Sequence, residues 1–372
     1  MSPWLIMALI AGYFAILMLI SHFTGKGDSN SSFFIGDRQS PWYVVAFGMI
    51  GVSLSGVTYL SVPGTIAKHQ FSYLQMVMGN CVGYALIAFL LLPLYYRLKL
   101  TSIYSYLGER FGPKSQKTGS LFFLLSRTIG ASLRLYLVII VLHKLIGEVW
   151  GLPFWLTVFA AITLIWVYTH KGGIKTVVWT DTLQTACMLI AMGSFIYLML
   201  GEMDLSLNMA FEKMKGSGLS QVFFFDDWMA GSYFWRSFIS GIFITLVMNG
   251  LDQDMMQKSL SCPNLNDAKN NLLSLSVVFL LTNICFLFLG GLLTLYARQK
   301  GIEVKADKLF ATVAEGSGTL FFSIFLLGVI AAAYSSADSA LASLTTSFCV
   351  DFLDIEKQPV AKQQSLRRRS HI

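Results

Sequence analysis

Residues 332–347 read Ala332-Ala333-Tyr334-Ser335-Ser336-Ala337-Asp338-Ser339-Ala340-Leu341-Ala342-Ser343-Leu344-Thr345-Thr346-Ser347, a run of hydroxyls and one carboxylate inside an apolar stretch that begins near Leu320. On a helix, Ala332, Ser335, Ser336, Ser339, Ser343, Thr346 and Ser347 recur at spacings of three and four and form one small, oxygen-rich stripe. Two readings fit it. Hard oxygens suit a small cation such as Na⁺ better than a redox metal, and a carboxylate such as Asp338 is costly enough in hydrocarbon to imply a function. Alternatively, the stripe is a small-residue packing face whose hydroxyls bond to neighbouring helices.

Working outward, the apolar surroundings extend over the whole chain. Of 372 residues, 55% are hydrophobic and 13% charged, and the mean hydropathy is +0.62, far from the balance of a water-soluble domain. The chain is an all-α polytopic membrane protein, multi-pass in a cell (plasma or inner) membrane, with the lipid bilayer as its first partner. Apolar runs able to cross about 30 Å of hydrocarbon lie around 3–22, 41–63, 72–96, 119–142, 152–169, 176–200, 233–256, 271–297 and 319–348, nine spans in a transporter core of residues 1–348, followed by a basic cytoplasmic tail at 349–372. No Lys or Arg precedes the first span, so it reads as a retained helix rather than a cleaved signal.

The net charge of +7 is distributed topologically and gives no reason to expect nucleic acid. With the N-terminus outside and the C-terminus cytoplasmic, Arg38, Arg97, Lys99, Arg110, Lys171, Lys175, Lys258, Lys269 and the Arg367-Arg368-Arg369 run all fall on the inner side, as the positive-inside rule requires. The 298–316 connection, with Arg298, Lys300 and Lys308, runs against that pattern. The five cysteines are odd in number and lack metal-type spacing, so neither a disulfide framework nor a zinc site is indicated. Nucleophile elbows, phosphate-cradling glycine loops and metalloprotease helices are missing from the sequence, and nothing in it supports an enzyme. It carries no signal for oligomeric state.

Two spans are weak as continuous helices. The second contains Gly48, Gly51 and Gly56 and runs into Pro63-Gly64; the seventh contains Gly241 and Asn249-Gly250, then Asp252, Gln253, Asp254 and Gln257. Such interruptions mark broken helices whose freed carbonyls bind ions and solute near the midplane, or else glycines that let helices approach closely. Arg127 and Arg134, seven residues apart, share a face of the fourth span and should meet partners or a water-filled cavity. Asp181, at the start of the sixth, either lies on a cation path close to the stripe or reaches the interface. The 201–232 connection, with Phe223-Phe224-Phe225, is expected to hold a short interfacial helix.

Four stretches together resemble the sodium:solute symporter family, whose members carry sugars, proline, sialic acid, iodide or vitamins. Residues 172–184, Gly172-Gly173-Ile174-Lys175-Thr176-Val177-Val178-Trp179-Thr180-Asp181-Thr182-Leu183-Gln184, are similar to the signature opening its sixth helix. Ser53-Leu54-Ser55-Gly56-Val57-Thr58-Tyr59-Leu60-Ser61-Val62-Pro63-Gly64 resembles its broken second helix, Asp252-Gln253-Asp254-Met255-Met256-Gln257-Lys258 its seventh, and Ala332-Ala333-Tyr334-Ser335-Ser336 its ninth. The resemblance implies a leucine-transporter-like fold, an inverted five-helix repeat with one extra N-terminal helix. It implies Na⁺ as coupling ion, held by the carbonyls of Gly51, Leu54 and Ala332 and the hydroxyls of Ser335 and Ser336, with a second sodium position at Asp181, Ser335, Asp338 and Ser339.

The expected activity is sodium-coupled symport of a small organic solute (a sugar, carboxylate, amino acid or vitamin-like molecule), with Ser53, Val57, Thr58, Asn249, Asp252 and Gln253 as substrate contacts. The competing expectations are a transporter-like membrane sensor and a truncated, non-transporting fragment. Val57-Thr58 replaces the Glu-Gln pair of the galactose carrier and Asp252 its Asn, so sugar specificity is not inherited. The family core also needs two further helices to complete its second repeat, so the chain resembles a C-terminally truncated symporter with that repeat incomplete.

Overall fold

Each backbone N–H and C=O placed in hydrocarbon without a partner costs several kcal/mol, and a single helix satisfies them all internally. In the computed structural model, which describes residues 3–25, 29–54, 56–302 and 306–371, every regular element is accordingly helical. In order they are α1 (Pro3–Thr24), α2 (Asn30–Ile35), α3 (Trp42–Leu54), α4 (Gly56–His69), α5 (Tyr73–Leu86), α6 (Leu92–Arg97), α7 (Ser105–Phe111), α8 (Pro113–Leu142), α9 (Phe154–Thr169) and α10 (Ile174–Glu202). There follow α11 (Leu207–Gly216), α12 (Phe234–Thr245), α13 (Gln253–Leu260), α14 (Leu265–Lys300), α15 (Ala306–Gly316), α16 (Gly318–Ser347) and α17 (Val360–Ser370).

Among the described residues six helices are long and apolar enough to cross a membrane, or eight if each of two bent pairs counts as one span. The bends fall in the two glycine-interrupted spans: 58° between Trp42–Leu54 and Thr58–His69, and 68° between Phe234–Gly250 and Gln253–Leu260. Four long helices also take in a five-residue π-helical turn, at Ile87–Leu91, His143–Gly147, Leu246–Gly250 and Phe348–Phe352.

Helices α10 and α16 lie along each other at the centre, with α3, α8 and α14 packed against one or the other. Close approach depends on missing side chains: a Cβ on Gly48 of α3 would sit 2.9 Å from the Asp181 Cβ of α10. On Gly241 of α12 it would run into the Met76 carbonyl of α5. Close packing and bending therefore coexist in the same two spans.

Two expectations change in detail. The short helix of the 201–232 connection is α11, capped by Ser206, whose hydroxyl accepts from the Met209 N–H. Phe223, Phe224 and Phe225 lie outside it in irregular chain, and the Phe225 ring meets Phe234 of α12 at 5.0 Å. The basic segment after α16 is packed rather than solvated. Arg367 is fully buried, its guanidinium 4.8 Å from the Phe33 ring centroid and donating to the Ser29 carbonyl at 2.8 Å. His371 bridges the hydroxyls of Thr169 (3.1 Å) and Thr345 (2.8 Å). Burial, with His170 and Arg367 nearby, pushes the His371 imidazole down to about 3.

Candidate functional site

The polar stripe of α16 faces protein, not lipid: Ser335, Ser336, Asp338, Ser339, Ser343, Thr346 and Ser347 are all buried. Helix α3 packs against α16, and residues 51–54 form its last turn before the 58° bend of its span. Thr185 of α10 anchors that turn, taking the Gly51 N–H at 3.1 Å and giving its own proton to the Gly48 carbonyl at 3.1 Å. On α16 the Ser335 hydroxyl donates to Asp181 Oδ1 at 2.5 Å. Its proton is thereby committed, and its lone pairs stay available. The Ser336 hydroxyl reaches the Ala332 carbonyl at 3.4 Å, a long and weak bond. Carbonyls and hydroxyls of this kind are an all-oxygen donor set, which fits Na⁺.

The positions implied for a second sodium divide into two groups. Asp181, Ser335 and Ser339 converge, but the cation among them is the chain's own: Lys258 Nζ lies 2.7 Å from Asp181 Oδ2 and 2.6 Å from Ser339 Oγ. Asp338 turns away. Its Oδ2 accepts from Tyr168 at 2.9 Å and Thr180 at 3.4 Å, and its Oδ1 from the Ser339 N–H at 2.7 Å. Lys258, expected among the inner surface charges, has a side chain only 1% exposed.

Lys258 is carried inward by α13, all eight of whose residues are buried. Side-chain amides bind that short helix to the rest of the molecule. Gln257 donates to the Phe34 carbonyl at 2.6 Å and to the Thr346 hydroxyl at 2.7 Å. Gln253 donates to the Thr101 carbonyl and accepts from the Ile103 N–H, each at 2.9 Å.

The expected substrate contacts also separate. Ser53, Thr58 and Asn249 line a cavity of about 220 Å³ together with Arg127 and Arg134. Gln253 is spent on the 101–103 turn, and the Val57 side chain lies outside the described residues. Asp252 caps α13, its Oδ1 accepting the N–H groups of Asp254 (3.0 Å) and Met255 (3.3 Å). The same oxygen pairs with Arg127, which also faces Asp254 Oδ2 at 3.0 Å. Arg134, one helical face further along α8, has no ion-pair partner among the described residues. The seven-residue spacing signalled this pair of arginines; nothing in the sequence signalled which of them is already neutralised.

Residues 33–372 match the model of the sodium:solute symporter family. The chain is 29% identical over 275 residues to the human sodium/iodide cotransporter, covering 70% of this chain and 41% of that one. It is 29% identical over 368 residues to human sodium-coupled monocarboxylate transporter 2 (89% and 56%), and 25% identical over 386 residues to the sodium/sialic acid symporter of Proteus mirabilis (97% and 73%). It thus spans about half the length of the first two relatives. Among solved structures, the substrate-bound, outward-open state of a Na⁺-coupled sialic acid symporter superposes with a TM-score of 0.88 at 19% identity, over 98% of this chain and 79% of that one. A nucleobase-cation-symport-1 transporter, in a closed conformation with a hydantoin bound, superposes with 0.63 at 15% identity, over 93% and 73%. With the family's model matched over nearly its whole length, the chain belongs to the sodium:solute symporter family.

Proposed function

We propose that the protein is the sodium-binding core of a symporter for a small organic anion, most simply a carboxylate. Arg134 carries this reading. It is half-buried, lines the cavity beside Ser53, Thr58 and Asn249, and has no carboxylate of its own among the described residues. Arg127, by contrast, is neutralised by Asp252 and Asp254. A guanidinium is a planar fork matched to a carboxylate, and an ionisable group inside a span needs a partner. The solute supplies it. The cavity is smaller than the roughly 300–1,000 Å³ of drug-sized pockets, which favours a small solute. Sodium-coupled monocarboxylate and sialic acid carriers are among its relatives.

Na⁺ is cargo here, held by the carbonyls of Gly51, Leu54 and Ala332 and the hydroxyls of Ser335 and Ser336. These ligands join the bent α3/α4 span to α16, so bound Na⁺ favours the arrangement in which they meet. Coupling follows from differential affinity for the two states. The nine-span partition, with the N-terminus outside and the segment after α16 cytoplasmic, belongs to this proposal. In it α13 closes the inner end through Gln253, Gln257 and Lys258.

The test is uptake by proteoliposomes containing the purified protein, with and without an inward Na⁺ gradient. Short carboxylates, sialic acid, iodide and galactose are the solutes. A Na⁺ gradient should speed carboxylate uptake at least tenfold, and Arg134→Met should raise the KM for carboxylates while leaving equilibrium Na⁺ binding intact. Uptake indifferent to Na⁺ and to Ser335→Ala/Ser336→Ala would end the symport reading. Unchanged carboxylate KM in Arg134→Met would end the anion reading.

A further inference from the structure

We infer that Lys258 is a tethered cation filling the second cation position of this fold, so that the protein couples to one Na⁺ rather than two. The inference rests on the symport reading above and concerns the stoichiometry of the same site.

Three observations carry it. First, the ammonium lies between two of the positions implied for a second sodium, 2.7 Å from Asp181 Oδ2 and 2.6 Å from Ser339 Oγ, with both charged side chains 1% exposed. Second, the remaining carboxylate that could help hold Na⁺ is engaged elsewhere. Asp338 receives three hydrogen bonds, from Tyr168, Thr180 and the Ser339 N–H. Third, the lysine is not a mobile surface side chain that wandered in. Helix α13 is fixed by the Asp252 cap, by Gln253 to the 101–103 turn, and by Gln257 to Phe34 and Thr346, and it packs against α3, α14 and α16.

A buried carboxylate can be balanced by one monovalent cation. With the ammonium in contact, Asp181 has no charge left to attract a second, and Na⁺ entering there would meet Lys258 at like-charge contact distance. The pair also serves the first site. Asp181, held on Oδ2 by Lys258, takes the Ser335 proton on Oδ1 at 2.5 Å, which leaves the Ser335 oxygen able to act as a ligand. Lys258 is thus a positioning residue for Na⁺ at the first site and a substitute for Na⁺ at the second.

The experiment is equilibrium ²²Na⁺ binding to purified protein, with thermal unfolding in NaCl against choline chloride as a second readout. Wild type should bind one Na⁺ per chain with a Hill coefficient near one. Lys258→Met keeps the length of the side chain and removes its charge. It should bind two Na⁺, and its melting temperature should rise with NaCl more steeply than that of wild type. Asp181→Asn/Lys258→Met removes both charges together and should return to one Na⁺. Two Na⁺ bound by wild type would overturn the inference whether or not the single variant folds, and so would one Na⁺ bound by a cooperatively folded Lys258→Met. Zero Na⁺ bound by wild type and variants alike would instead overturn the symport reading on which the inference rests.

Discussion

The two bent spans use the same break to opposite electrostatic ends. At the first, the turn of α3 before the bend packs against α16, whose hydroxyls are buried, and in the proposed function its carbonyls serve a cation. At the second, α13 begins at Gln253, and its positive, amide-bearing end is closed by the chain's own Asp252 carboxylate. In the proposed function one break offers itself to a cation, while the other is closed by the chain's own carboxylate. The anionic solute proposed above would then be recognised by Arg134 rather than by a helix terminus. A broken helix in a sequence identifies a place where backbone groups are released, but the nearest charged side chain decides what they can bind.

The contrast can be tested most forcefully at the sealed end. Arg127→Met strands Asp252 and the buried Asp254 without their cation, and should cost about 3–5 kcal/mol of stability in thermal or denaturant unfolding. Adding Asp252→Asn and Asp254→Asn to it should recover most of that loss. A single variant as stable as the parent would show that the arginine does not hold the second break together. At the open end, a Cβ on Gly51 would collide with the Thr185 hydroxyl that anchors the turn. Gly51→Ala is expected to cost about 1–3 kcal/mol by overpacking, and to weaken Na⁺ binding measured with ²²Na⁺ in the same preparation.

A control away from both bends is His371, neutral in the fold because its pKa lies near 3 rather than the ordinary 6.5. The unfolded chain binds this proton at a higher pH than the folded one. The contribution is therefore complete above about pH 6.5 and shrinks as pH falls toward 3, by about 2 kcal/mol at pH 5. Hydrogen exchange in α17 should accelerate at pH 5 in wild type and much less in His371→Phe. The smallest effect separates the two duties of Asp252. Asp252→Ser keeps an oxygen for the α13 amides and Asp252→Ala does not, so Ala should be less stable by about 1 kcal/mol. Equal melting temperatures for the two would mean that the cap contributes nothing.

The long apolar helices were legible because crossing hydrocarbon imposes a length, and both bends were legible because glycine and polar residues interrupt that length around residues 48–56 and 241–254. The oxygen stripe on α16 was legible from its spacing alone. Lys258 was not: a lysine that follows Asp254 and Gln257 just after an apolar run has the signature of a loop charge, and only the fold brings it to Asp181, 77 positions earlier in the chain. The division of labour between Arg127 and Arg134 was hidden for a similar reason. Both occupy one face of α8, and the difference lies in Asp252 and Asp254, on another helix. Charge pairing across a bundle leaves no periodic trace, whereas burial of a single face does.

The π-helical turn at Leu246–Gly250, just before the second bend, has a consequence for how this span evolves and can be edited. Such a turn holds one residue more than the α-helical ladder needs, and one residue is about 100° of rotation. It is a phase shift written into the chain: the lipid-facing side of α12 and the face bearing Asn249 keep separate registers. Deleting one residue between Leu246 and Gly250 would leave composition and hydropathy almost untouched while swinging one of the two faces about a quarter turn, so this span tolerates substitution far better than it tolerates a change of count.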